Sequence, residues 1–103
     1  MAEFKGTKGN WKVGTNFSNI VTDEKTERPS YTKENYESEI EYYGGYLICE
    51  SVSKKADAKL IASSPELLEA LNEMVRMYEE VQPAGGWQGV YELAKYAIKK
   101  ATE

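Results

Sequence analysis

The sequence predicts a small α+β protein, with an antiparallel sheet of three to four strands followed by a helical C-terminal half packed on one face. Three observations indicate this fold class. Short β-like pieces separated by turn formers fill the first half of the chain. In the second half, apolar residues recur at the three-and-four spacing of helices. Ser63-Ser64-Pro65 then supplies a helix start signal between two such patterns.

The strands are expected in four segments. Residues 11–13 and 19–22 are β-like and are separated by the turn formers Gly, Asn and Ser. Residues 36–42 place Glu37, Glu39 and Glu41 on one side and Tyr36, Ile40 and Tyr42 on the other, an alternation that is typical of a half-buried strand. Gly44-Gly45 suits a tight turn into a return strand over residues 46–52. The two later strands are therefore predicted to form a hairpin.

The helical half is predicted as a short helix and two longer ones. The short helix covers residues 54–62 and ends at the Ser-Ser-Pro junction, because proline disfavours the helical conformation in the residue before it. The second helix covers 65–81, and a third starts near Trp87. The 103 residues are expected to form a single domain, with a β-rich part over 1–53 and a helical part over 54–103. Within the first part, residues 22–35 are polar and lack periodicity, which predicts a mobile acidic segment.

Composition argues against most catalytic chemistry. The chain has no histidine, and Cys49 is its one cysteine, so disulfides, the usual zinc sites and imidazole catalysis are ruled out. We therefore expect no enzyme activity, no metal and no cofactor. No apolar run approaches the roughly 20 residues that span a bilayer, and no signal peptide is evident, which predicts a cytoplasmic protein without membrane contact. A sequence pI of about 5.0 disfavours direct binding to nucleic acid.

One motif carries a family resemblance. Ala58-Lys-Leu-Ile-Ala-Ser-Ser-Pro-Glu-Leu-Leu-Glu-Ala-Leu71 resembles the signature of a class of small phage and prophage proteins, Asn-Ala-x-Leu-Ile-Ala-x-Ala-Pro-Glu-Leu-Leu-Glu-Ala-Leu, with Asp57 at the first position. The segments Gly9–Val13 and Tyr46–Glu50 also fit that class. The resemblance implies a phage context rather than a particular activity. It supplies no catalytic residues, because the motif is structural.

The leading functional hypothesis places a partner site in the acidic, tyrosine-rich segment. Residues 22–43 contain seven acids and three bases, which accounts for the whole net charge of -4. Such a surface suits a host protein with a basic, nucleic-acid-binding face, so we expect an inhibitor of a host defence or nucleic-acid-processing protein. The alternative is an ordinary solvated surface. The candidate contact residues are Tyr31, Tyr36, Glu37, Glu39, Glu41 and Tyr43.

Two further hypotheses stay open. Aromatic residues could line a pocket in which an oligomeric protein sequesters a small nucleotide signal, although the same residues could form the core. The candidates for this pocket are Trp11, Tyr46, Trp87 and Tyr91. A phage structural or assembly role is the third hypothesis. A homo-oligomer is compatible with each of them, since Met74 and Met77 on the long helix suit a self-interface.

Overall fold

The computed structural model describes residues 4–82 and 85–103, which belong to two compact units. One unit spans Gly6–Ser64, and the other is built mainly from Pro65–Glu103. In chain order the elements are β1 (Trp11–Val13), β2 (Ile20–Thr22), α1 (Lys33–Tyr43), β3 (Tyr46–Cys49), α2 (Lys55–Val81) and α3 (Gln88–Thr102). The predicted α+β class with a three-stranded antiparallel sheet is confirmed. A single domain and a mobile segment over 22–35 stay predictions.

The sheet is ordered β1-β2-β3, and its central strand carries the core of the first unit. β2 pairs antiparallel with both neighbours, with Val13 opposite Ile20 on one side and Cys49 opposite Ile20 on the other. Ile20, Val21 and the hydroxyl-bearing Thr22 are fully buried. Ile20 packs with Ala58 and Ala62, so the first turns of α2 cover the sheet with small side chains that allow close approach.

The predicted strand over 36–42 is wrong, since these residues belong to helix α1. Thr32 caps this helix: its hydroxyl accepts from the Asn35 N–H at 3.3 Å, and the Asn35 side chain accepts from the Thr32 N–H at 3.0 Å. Tyr36 and Glu39 are buried, and Tyr43 is half-buried, at the three-and-four spacing of a helix face. The sequence pattern concealed this buried face because its middle residue, Glu39, also belongs to the row of alternating glutamates that suggested a strand.

Gly44 and Gly45 also differ from the expected hairpin turn. Gly44 ends α1 with φ 85°, and its N–H donates to the Ile40 carbonyl at 2.9 Å, which makes it a left-handed C-cap. A Cβ on Gly45 would lie 2.8 Å from the Val21 side chain. The pair therefore ends a helix and lets the chain pass closely over β2.

The predicted break at Ser63-Ser64-Pro65 is wrong as well, because α2 runs unbroken through Pro65. The hydroxyls of Ser63 and Ser64 do not cap a following helix. They donate back to the carbonyls of Lys59 at 2.9 Å and Leu60 at 3.0 Å. Pro65 has no N–H to donate to the Ile61 carbonyl, and α2 continues through it as one long helix.

A buried ion pair ties α1 to β3. The Arg28 guanidinium donates to both Glu39 carboxylate oxygens at 2.8 Å and to the Leu47 carbonyl at 2.7 Å. Glu39 also accepts from the Leu47 N–H, and this residue is only 4% exposed. The hydrogen bond to Glu39 raises the pKa of Arg28 above its ordinary value. The carboxylate is thus fully paired inside the unit, which makes each partner costly to remove.

The substitution Glu39→Gln is expected to destabilise the protein by about 3 kcal/mol, because it removes the counter-charge of Arg28, whose side chain is only 26% exposed. Urea unfolding followed by circular dichroism measures this. Glu37→Gln is the matched control, since Glu37 pairs with Lys33 at 3.9 Å on the surface and should change stability by less than about 0.5 kcal/mol. Equal losses for the two variants would contradict the buried role of Glu39.

Candidate binding surfaces

Helix α1 presents a row of three exposed carboxylates to solvent. Glu34, Glu37 and Glu41 are spaced by three and four residues, so they lie on one stripe of the helix. This stripe is opposite the buried face formed by Tyr36 and Glu39. The row follows directly from the burial of Glu39, because that contact fixes which side of α1 faces outward.

Exposed apolar side chains flank this row. Tyr42 is 69% exposed and Ile40 is 40% exposed, on either side of the carboxylate stripe. We call the set Glu34, Glu37, Ile40, Glu41 and Tyr42 the acidic α1 face. A charged row with an exposed aromatic beside it can contribute both electrostatic attraction and apolar contact to a partner.

The six residues predicted for partner contact do not share one face. Glu37 and Glu41 are on the acidic α1 face, but Tyr36 and Glu39 point inward. The Tyr36 hydroxyl donates to the Thr26 carbonyl at 2.6 Å and accepts from the Arg28 N–H at 3.1 Å. These buried contacts leave Tyr36 and Glu39 unable to meet a partner at the surface.

Tyr31 and Tyr43 take intermediate positions. Tyr31 packs edge-on against Tyr36, with ring centroids 5.0 Å apart, and the Arg28 guanidinium lies 4.5 Å from its ring. The Tyr43 hydroxyl donates to Glu50 at 2.7 Å. This hydrogen bond is the main cause, and desolvation a smaller one, of the rise in the pKa of Tyr43 to about 12. Tyr31 therefore lies just before α1 and Tyr43 at its last residue, and each is in contact with neighbouring side chains.

The sequence interpretation missed Glu34, Ile40 and Tyr42. Interpretation of this segment as a helix would have identified them. Glu34, Glu37 and Glu41 recur at the three-and-four spacing of a helix as regularly as the glutamates alternate at the spacing of a strand. The capping pair Thr32 and Asn35 was the additional signal.

The four aromatic residues predicted for a pocket fall in different units. Trp11 and Tyr46 belong to the sheet unit, where the Trp11 indole donates to the Thr7 carbonyl at 3.0 Å and Tyr46 packs edge-on against Tyr36. Trp87 and Tyr91 belong to the helical unit. Each pair has its own surroundings, so each unit is considered by itself.

In the helical unit, α3 turns back along α2 to form a helical hairpin. Tyr78 and Tyr91 stack with ring centroids 4.4 Å apart, and the Tyr91 hydroxyl donates to Glu79 at 2.6 Å. The bond to Glu79 raises the pKa of Tyr91 above its usual range. The stacked rings thus fix the two helices against each other near their connection.

This hairpin has a second exposed surface, which is apolar. A groove of about 470 Å³ runs between the helices, and the single charged residue in its lining is Glu73. Its walls include Met74, Met77, Val81, Trp87 and Val90, all of which are largely exposed. We call the exposed apolar residues of the hairpin the apolar hairpin face: Leu67, Met74, Met77, Val81, Trp87, Val90, Leu93 and Tyr96.

Over residues 4–82 and 85–103 no three of the acidic, cysteine or histidine side chains come together as a metal site would require. Within the same ranges, no helix is both long enough and apolar enough to span a membrane.

These features define a small α+β protein whose surface chemistry consists of an acidic helix face and an apolar helical hairpin. The whole chain, residues 1–103, matches a family described as Salmonella phage P22 protein Y8K6, and the chain belongs to this phage protein family. No curated protein and no solved structure matches it.

Removal of the hydrogen bond between Tyr43 and Glu50 should lower the pH at which the Tyr43 hydroxyl loses its proton. Because the pKa of Tyr43 is raised from 10.0 to about 12, its contribution to stability is present below pH 10 and is lost as the pH rises towards 12. In Glu50→Gln, Tyr43 is expected to titrate closer to 10.0. NMR titration of the tyrosine ring carbons measures this, and an unchanged midpoint in the variant would contradict the role of Glu50.

Proposed function

We propose that this phage-family protein is an accessory protein that acts by binding a host protein through its acidic α1 face. The observation that carries the proposal is the row Glu34, Glu37 and Glu41, held outward by the burial of Glu39 on the opposite side of the helix. The proposed target is a host defence or nucleic-acid-processing protein with a basic surface.

Electrostatics support this choice of partner. The three carboxylates extend over seven residues, which is about 10 Å along a helix. Their only close basic neighbour among the ion pairs of the described residues is Lys33, 3.9 Å from Glu37, in a pair that is exposed on both sides. Such a pair contributes little, so the row keeps most of its negative potential. A basic groove that normally holds phosphates is the natural complement.

Apolar contact would then hold the partner in place. Tyr42 projects beside the carboxylate row with 69% of its surface exposed. Its ring packs edge-on against Tyr43 at a centroid distance of 4.7 Å, and Tyr43 is in turn bonded to Glu50. A preoriented tyrosine loses little side-chain entropy on binding, which is why tyrosines recur at interface centres.

The hypothesis of nucleotide sequestering has less support. Trp87 and Tyr91 do line a common groove, but its lining includes no lysine or arginine to hold a phosphate, and its one charged residue, Glu73, is paired with Arg76 at 2.9 Å. The Lys95 ammonium lies 4.9 Å from the Tyr91 ring, outside the groove lining. A groove of this chemistry favours an apolar occupant over an anionic one.

The proposal is tested by affinity capture from host lysate with the triple variant Glu34→Gln, Glu37→Gln, Glu41→Gln. Loss of three charges should weaken binding to a captured host protein by at least about tenfold at low salt and flatten its salt dependence. The purified target then allows calorimetric titration against each form of the protein.

A second triple variant, Glu24→Gln, Glu27→Gln, Glu92→Gln, is the matched control, since it removes the same charge at exposed positions outside the acidic α1 face. It should bind like the unmodified protein. Equal weakening in both variants would mean that net charge, not this face, governs binding. Unchanged binding in the first variant would refute the proposal.

A further inference from the structure

The hairpin helices carry two adjacent apolar rows, of which only one is covered. On α2, Leu68, Leu71, Val75 and Tyr78 are buried or half-buried. The residues that precede these four by one position are exposed, and so is Val81, which continues their spacing. This exposed row is Leu67, Ala70, Met74, Met77 and Val81. Both rows follow the alternating three-and-four spacing of a coiled-coil seam. A helix with one such seam needs one helical neighbour, and a helix with two needs two.

Helix α3 repeats this arrangement. Tyr91, Ala94 and Ile98 are buried or half-buried, and the residues one position earlier, Val90, Leu93 and Ala97, are exposed. The helices run antiparallel, as the stacking of Tyr78 on Tyr91 and the shared groove require. In two antiparallel helices that face each other, a step back of one residue points the side chains of both helices towards the same side of the hairpin. The two uncovered rows therefore form one continuous surface, which makes up most of the apolar hairpin face.

We infer that the apolar hairpin face binds a second copy of the same chain, so that two hairpins form an antiparallel four-helix bundle. A hairpin with matching uncovered rows on both helices is the complement that this surface fits, because two-fold symmetry places identical seams against each other. The eight large side chains of the face expose roughly 100 Å² each, or on the order of 800 Å² per chain, which is the area that a standard specific interface buries on each partner. An apolar patch of this size exceeds what soluble monomers ordinarily expose.

Charge selects between the two ways of stacking the hairpins. Outside the uncovered row of α2 lies a charged row: Glu66, Glu69, Glu73, Arg76 and Glu80. Arg76 pairs with Glu73 at 2.9 Å and with Glu80 at 2.7 Å, whereas Glu66 and Glu69 have no ion pair among the described residues. Stacking α2 on the α2 of the second copy would oppose two acidic rows. Stacking α2 on α3 avoids this repulsion.

The stacking of α2 on α3 also places a lysine of one copy at the same height as a glutamate of the other. Counting nine residues back from Tyr78 gives Glu69, and nine forward from Tyr91 gives Lys100. With equal rise per residue, Glu69 and Lys100 lie at the same height along the hairpin. A two-fold axis parallel to the helices keeps heights unchanged, so it brings Glu69 beside Lys100 of the second copy. The charges therefore favour this one geometry.

Sedimentation equilibrium of the full chain tests the inference. The chain should be dimeric at about 100 μM, and Met74→Glu or Leu93→Glu should raise the dimer dissociation constant by at least about tenfold, because each buries a carboxylate in the interface. Met74 and Leu93 are 69% and 68% exposed, so neither supports the single chain, and circular dichroism should show unchanged helix content. Phe17→Glu, at an exposed apolar position of the sheet unit, is the control and should remain dimeric.

A charge exchange tests the stacking without disturbing the apolar rows. Glu69→Lys should weaken the dimer, and the addition of Lys100→Glu should restore part of the loss. A monomeric parent chain, dimers that survive both glutamate substitutions, or a charge exchange without effect would each overturn the inference. The inference is independent of the acidic α1 face, and the triple glutamine variant of that face should sediment as a dimer.

Discussion

The bidentate contact between Arg28 and Glu39 is the interaction on which the sheet unit depends. It joins the segment before α1, the helix itself and β3, since the same guanidinium reaches the Leu47 carbonyl while the carboxylate receives the Leu47 N–H. With Glu39 fixed inside, rotation of α1 about its own axis is no longer possible. A buried charge pair contributes little net stability over an apolar pair, but it specifies one arrangement strongly, because every alternative leaves a charge unpaired.

That constraint has a consequence for the surface. One glutamate of α1 is used internally, and the other three are left on the opposite side of the helix with Tyr42 beside them. Three of the acidic side chains are thus displayed as an ordered row on a helix rather than scattered over a loop. The helical unit has the opposite character, since its exposed surface is apolar and has the regularity of a helix-packing seam. The two surfaces suit different partners, a basic protein for one and a second hairpin for the other.

The sequence predicted the class of the fold and several of its elements because their signals are local. The β-branched residues of β2 and the seam of residues 67–81 identify a strand and a helix without knowledge of their neighbours. The errors occurred where a distant partner decides. Nothing near Glu39 reveals that Arg28 will neutralise it, so the glutamates were taken as one solvent-facing row. Likewise, the proline signal in the signature predicted a helix start, whereas α2 continues through Pro65 as one helix.

The apolar hairpin face is the feature least compatible with a solitary chain, so the direct observation of what covers it decides the account. Isotope-filtered NMR on a sample mixing labelled and unlabelled chains would report contacts between copies alone. The account predicts cross-peaks between the Met74 methyl of one chain and the Leu93 methyls of another. Cross-peaks from Met74 only to Met74, or no cross-peak between copies at about 100 μM, would contradict it.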